Sequence, residues 1–142
     1  KDFARFHPGG SLGKKLYLRV DDIYIQNAKP KVKPNDNITK VISEITGKRL
    51  GATAVVDEND MMLGIITGGD LRRMLEKYPS EFINLKAKDI MSEKPKMVEK
   101  DCLAINALSV IKANNISQVV VVEDNKYLGI VHMHDLMREG IV

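Results

Sequence analysis

Thr67 and Asp70 stand three residues apart at the close of an apolar run, in the stretch LGIITGGDL from Leu63 to Leu71. At a strand-to-helix step an aspartate carboxylate can accept hydrogen bonds from both hydroxyls of a ribose. A threonine three residues earlier can donate its hydroxyl to a phosphate, helped by backbone N–H groups at the helix start. Gly68 and Gly69, between the two, let a ligand approach the backbone closely. The same residues also make a helix cap, and capping alone is a complete account of them.

The stretch returns as LGIVHMHDL, from Leu128 to Leu136. Asp135 answers Asp70, but His132 stands where Thr67 stood. His132 and His134, two apart on a predicted strand, point to one face, with Asp135 adjacent. Three roles fit them: direct contact with a nucleotide or sugar acid, a shared metal, or surface and interface packing. Zinc wants a further well-placed ligand, and nothing places Cys102 nearby, so no metal is assigned. An unperturbed histidine, with a pKa near ~6.5, would make binding here depend on pH. Cys102 itself follows Asp101 in a first helical turn and reads as a small buried filler rather than a nucleophile.

These steps need a scaffold, and the chain offers 142 residues for it. One repeat of about 60 residues would bury only roughly 60% of its unfolded surface. Two repeats packed together share a core. Hydrophobic content of 44% and charged content of 29% suit a globular protein. No apolar run reaches the ~20 residues that span a bilayer, and no signal-peptide pattern is present. The net charge of +3 is spread without a basic, aromatic-laced stripe, which argues against a nucleic-acid partner and suits a small anionic ligand. A single cysteine excludes an intramolecular disulfide framework and fits a reducing cytoplasm. With no phosphate loop, no metal-spaced Cys/His set and no triad, the sequence contains no self-contained active site. Because the chain opens on Lys1 and a helix-like DFARF, it reads as the C-terminal piece of a longer protein.

Along the chain, HPGGSLG stops that opening helix, and Leu16, Leu18 and Val20 alternate like a short buried edge. After Asp22-Ile23, the segment KPKVKPND (29–36) ends at Asp36, a predicted N-cap. A helix follows, with Ile38, Val41, Ile42 and Ile45 at helical spacing and Gly47 at its end. GATAVVDENDMMLGIIT predicts two strands turning near Glu58-Asn59-Asp60. Leu71, Met74, Leu75 and Tyr78 line a second helix, which Pro79 ends. The order then repeats. Asp89-Ile90 answers Asp22-Ile23, KPKMVEKD (94–101) answers KPKVKPND, and Leu103, Ala107, Val110 and Ile111 give the helix face. SQVVVVEDNKYLGIVHM turns at Asp124-Asn125, and a last helix stops at Gly140. Indels fall in loops, including two extra residues after Ile23. Each unit is strand–helix–strand–strand–helix, an α+β fold, and two copies related by a pseudo-two-fold would bury each other's open faces.

At Gly64–Asp70 the chain resembles the CBS domain, a regulatory module found as a tandem pair (a Bateman module) with the signature G-h-h-T/S-x-x-D, h being hydrophobic. Gly129–Asp135 match except at His132. The resemblance covers roughly residues 20–142, with one repeat at 20–84 and the second at 85–142. A further resemblance, in FARFHPGGSLGKKLYLRVDDI and LGIVHMHDLMREGIV, is to the D-arabinose 5-phosphate isomerases. There a sugar-isomerase (SIS) domain joins a CBS pair, and residues 1–19 would be its tail and linker.

Those enzymes interconvert D-ribulose 5-phosphate and D-arabinose 5-phosphate on the route to Kdo, the acidic sugar of lipopolysaccharide and capsules. The resemblance implies nucleotide binding in the CBS clefts and regulation by a cytidine or adenine nucleotide such as AMP, CMP or CMP-Kdo. No cofactor for chemistry is implied. Thr67, Gly68, Asp70, His132, His134 and Asp135 would bind it. Lys29, Lys31 and Lys96 would wall the clefts, and the strand starts Ala52-Thr53 and Ser117-Gln118 would frame a base. His7 would belong to the isomerase site of the whole enzyme, where a base moves a proton between adjacent carbons; packing at the domain junction is its alternative. This chain alone is expected to be inactive. The implied partners are its own SIS domain and further copies, a dimer of CBS pairs within a tetramer, without nucleic acid or membrane. A structural oligomerisation module with degenerate clefts is the competing reading.

Overall fold

The structure, a computed structural model, describes residue 13 and residues 16–141. His7 and its HPGG run lie outside the described residues.

Each repeat follows the predicted order. The first comprises β1 (Lys31–Val32), α1 (Ile38–Lys48), β2 (Ala52–Val56), β3 (Met62–Thr67) and α2 (Gly68–Lys77). After a short helix α3 (Ala87–Ile90) come β4 (Met97–Glu99), α4 (Ala104–Ala113), β5 (Gln118–Glu123), β6 (Lys126–His132) and α5 (Met133–Arg138). They form two three-stranded sheets, β1-β2-β3 and β4-β5-β6. β1 lies parallel to β2 and β4 parallel to β5. A parallel pair needs a crossover between its strands, and α1 and α4 supply it. β2 and β3 are antiparallel, with Ala52 opposite Thr67, so the start of β2 lies beside the end of β3.

The local signals acted with small displacements. Asn37, not Asp36, caps α1 by accepting from the Lys40 N–H at 2.9 Å. Asp36 instead closes the preceding turn, accepting from the Lys33 N–H at 2.7 Å. α1 passes through Gly47 and stops where Arg49 turns left-handed at φ 63°. Met74 is buried in α2 but Leu75 is 47% exposed, so the apolar face is narrower than its spacing suggests. Leu16 is 55% exposed and helical, whereas Val20 is fully buried, so these two do not share a buried edge. The second hairpin turns tightly through Asp124 and Asn125, both at positive φ. The longer first turn is tied by Asp57, whose Oδ1 accepts from the Asn59 and Met61 N–H groups at 2.8 and 3.0 Å.

Two compact units emerge, and their borders differ from those of the duplication. One contains the described residues of Lys1–Ala28 with Lys96–Glu123 and Leu128–Val142; the other contains Lys29–Pro95 with Asp124–Tyr127. In the first unit, Arg19 bridges Leu103, the Val20 N–H donates to Cys102 O at 2.9 Å, and the Ala104 N–H donates to Leu18 O at 2.7 Å. Val20 and Ile23 join a core with Ile111, Val121, Val131 and Leu136. In the second unit the pattern recurs: Asn37 bridges Lys86, and the Ala87 N–H donates to Asp36 O at 2.9 Å. Its core holds Val32, Val41, Ile45, Val55, Ile66 and Ala87. The lead-in before each repeat is thus packed with the strands of the other.

The glycine of each LGI stretch makes that exchange possible. A Cβ on Gly129 would come within 2.8 Å of the Tyr24 ring, and one on Gly64 within 2.7 Å of Ser92 O. These glycines admit a lead-in segment. The second unit also holds the turn of the second hairpin: the Met62 N–H donates to Asn125 O, and the buried Tyr127 hydroxyl donates to Pro30 O at 2.7 Å.

Candidate functional site

At the first step, β3 ends and α2 begins at a closed capping box. Thr67 Oγ1 accepts from the Asp70 N–H and donates to Asp70 Oδ2, both at 3.2 Å. Asp70 Oδ2 also accepts from the Thr67 N–H at 2.9 Å. Its Oδ1 accepts from Arg73 at 2.7 Å, and that arginine side chain is 66% exposed. The Gly68 N–H donates to Gly51 O at 3.1 Å, which ties the helix start to the start of β2. Gly68 faces open space.

At the second step the same frame is filled differently. The Met133 N–H donates to Ser117 O at 2.7 Å, the counterpart of the Gly68–Gly51 bond. Asp135 Oδ2 accepts from the His132 N–H at 2.8 Å, and Arg138 pairs with Oδ1. The third donor is Asn27, whose Nδ2 reaches Asp135 Oδ2 and Ile130 O, each at 2.9 Å. His134 does not share a strand with His132. Asp135 captures the His132 N–H and ends β6 there, so His134 falls in the first turn of α5. Their rings still meet, with centroids 4.5 Å apart.

His132 Nδ1 accepts from the His134 N–H at 3.0 Å, taking over the capping duty of the threonine oxygen. A ring nitrogen can accept only in the neutral imidazole, so the proton sits on Nε2. Burial, then the neighbouring His134 and Arg138, hold the His132 pKa below its ordinary value, while Asp135 pulls the other way.

The remaining predicted residues are placed as follows. Lys31 Nζ pairs with Asp60 at 2.9 Å, and its backbone N–H donates to Glu44. That Lys31 bond, with the charges of Lys29 and Lys33, outweighs desolvation and lowers the Asp60 pKa. Lys29 Nζ lies 5.4 Å from the centroid of the Tyr127 ring. Ala52 and Thr53 have fully buried side chains, and Gln118 is also buried, so these strand starts offer backbone rather than side chains. Ser117 and Lys96 are exposed. Among the described residues no cluster of three His, Cys, Asp or Glu can hold a metal ion, and no helix is long and apolar enough to cross a membrane.

Three contributors escaped the sequence reading. Arg73 and Arg138 follow their aspartates by three residues, and the repeated D-L-x-R is visible in the sequence. Asn27 lies in the two-residue excess after Ile23 and carries no pattern of its own.

Two strand–helix–strand–strand–helix repeats, each with an aspartate at the head of its last helix, define a tandem α+β module. The CBS domain family matches residues 20–77 and 87–141, and the chain belongs to that family. It is similar to the arabinose 5-phosphate isomerase KdsD of Escherichia coli K12, at 40% identity over all of this chain. It is 45% identical to the KdsD of Francisella tularensis over 97% of this chain. The chain spans 43% and 42% of the length of those two relatives. Among solved structures, the CBS domain protein PAE2072 from Pyrobaculum aerophilum, complexed with AMP, aligns with a TM-score of 0.74 at 18% identity. That alignment covers 84% of this chain and 90% of that one.

Proposed function

We propose that this chain is the regulatory nucleotide-binding CBS pair of an arabinose 5-phosphate isomerase, with a cytidine or adenine nucleotide as effector. The observation that carries this reading is the Thr67–Asp70 step: a carboxylate and a hydroxyl held together at the head of α2, beside the open space at Gly68, in a chain of the CBS family. An AMP complex of a protein with the same fold supports it. Similarity to KdsD along the whole chain points to the parent reaction, and CMP-Kdo is then a sensible feedback signal. The isomerase domain would precede residue 20, with His7 part of its active site, in a cytoplasmic homo-oligomer. The repeats would be 20–84 and 85–142.

To regulate, the effector must bind two states with different affinity, typically by ~1–3 kcal/mol. Calorimetric titration with CMP, CMP-Kdo, AMP and ATP tests the reading. Saturable binding of one of them is expected, and no binding by any of the four would overturn it. The chain alone is expected to turn over no arabinose 5-phosphate.

One observation favours a structural module instead. Every carboxylate oxygen of Asp70 and Asp135 already has an intramolecular partner. In the full-length protein Asp70→Ala separates the two readings. Loss of effector response at unchanged oligomer size supports regulation, and an unchanged response supports scaffolding.

A further inference from the structure

We infer that Asn27 is a latch on the second step, an autoinhibitory contact that a ribose-bearing ligand must open to reach Asp135. The inference rests on the nucleotide-binding reading and adds a mechanism that sets the two repeats apart. It begins from the exchange of Thr67 for His132. Thr67 supplies both a capping acceptor and a hydroxyl that donates to Asp70 Oδ2. His132 supplies the acceptor alone, because its Nδ1 receives the His134 N–H. The missing donor to Asp135 Oδ2 comes from Asn27, and the second hydrogen of the same amide goes to Ile130 O.

Asn27 is held there by its own segment. It follows the turn Tyr24–Gln26, whose Tyr24 ring lies against Gly129. That segment carries the two residues by which the first lead-in exceeds the second, and among the described residues no counterpart of Asn27 reaches Asp70. The outcome differs in degree: the Asp135 side chain is 4% exposed and that of Asp70 is 10% exposed. A ribose diol donates to the same oxygen that Asn27 now occupies. Ligand binding at the second repeat therefore displaces the 24–28 segment, which continues directly into the residues preceding the module. Among the described residues the first repeat shows no such lever.

Titration with AMP, on an Asp70→Ala background that leaves the second step intact, tests the latch. Adding Asn27→Ala is expected to tighten AMP binding by about tenfold, the scale of one hydrogen bond to a charged group. His132→Thr on the same background restores a hydroxyl donor, makes Asn27 redundant and shifts affinity in the same direction. On the unmodified chain, AMP is expected to raise amide hydrogen exchange at residues 24–28. Unchanged or weaker AMP affinity in both variants, or unchanged exchange at 24–28 in an AMP-saturated chain, overturns the latch and leaves nucleotide binding standing. If the unmodified chain and every variant bind neither AMP nor CMP, the nucleotide reading falls and the latch with it.

Discussion

Gly64→Ala places one methyl group where the structure has no room. Its Cβ would lie 2.7 Å from Ser92 O and 2.8 Å from Met91 Sδ. The methionine can swing aside, but the carbonyl is held. Ser92 O accepts from the Ile65 N–H at 3.0 Å, and the Ser92 N–H donates to Ile65 O at 2.8 Å. Relief therefore means pushing the α3 lead-in off β3 and stretching both bonds. Overpacking of this kind costs about 1–3 kcal/mol, and two weakened backbone bonds add roughly 0.5–1.5 kcal/mol each when fully lost. Against this, alanine restricts the unfolded chain and returns about 0.4–1 kcal/mol. The net expectation is a loss of about 2–3 kcal/mol. At ~3 °C per kcal/mol for a chain of this size, the melting temperature falls by about 6–9 °C. Thermal unfolding followed by circular dichroism measures it, with Gly68→Ala as the control. Gly68 meets nothing within 4 Å and is not a positive-φ glycine, so alanine there is expected to leave the melting temperature level or slightly raised. Equal melting temperatures for the two variants would refute the claim that Gly64 exists to admit the lead-in.

Stability should also depend on pH through His132. Its pKa is lowered in the fold, chiefly by burial, so its contribution is complete above pH ~6.5 and is lost as pH falls below that. Urea midpoints at pH 5 and 7.5 should differ less in His132→Thr than in the parent. Tyr127→Phe removes the donor to Pro30 O within a buried site, and a loss of about 1–3 kcal/mol in urea unfolding is expected; a neutral result would mean that water or another donor replaces it. Cys102 should react slowly, because burial, reinforced by Asp101, raises its thiol pKa. At pH 7.5 its alkylation by iodoacetamide should lag behind free cysteine, and a faster rate would contradict that environment.

Elements whose cause is local were legible in the sequence. The apolar runs either side of the Glu58-Asn59-Asp60 turn, the spacing of Ile38, Val41 and Ile45, and the repeated glycines and aspartates sufficed to predict both repeats in order. Errors of one residue arose where two neighbours competed for a single duty, as when Asp36 closed a turn and left the cap to Asn37. His134 was misplaced because a strand's period of two continues only until something ends the strand. Asp135, three residues on from His132, ends it by taking a backbone N–H. Asn27 was illegible for a different reason. Its partner lies 108 residues away, and a lone asparagine in a loop carries no period that would reveal it.

The exchange of lead-ins has a consequence for how the chain is made. Synthesis runs from the N-terminus, so Val20 and Ile23 leave the ribosome well before their core partners Ile111, Val121, Val131 and Leu136. At about 5–20 residues per second, that delay is roughly 4–23 s. The lead-in segment Lys86–Met91 has a much shorter wait, since the strands that receive it are already made. Most of one unit, Lys29–Pro95, can therefore assemble while the chain is growing and waits only for the turn Asp124–Tyr127, whereas the other must keep an apolar segment uncovered until Leu136 is made. A co-translational chaperone has a defined stretch to shield during that interval.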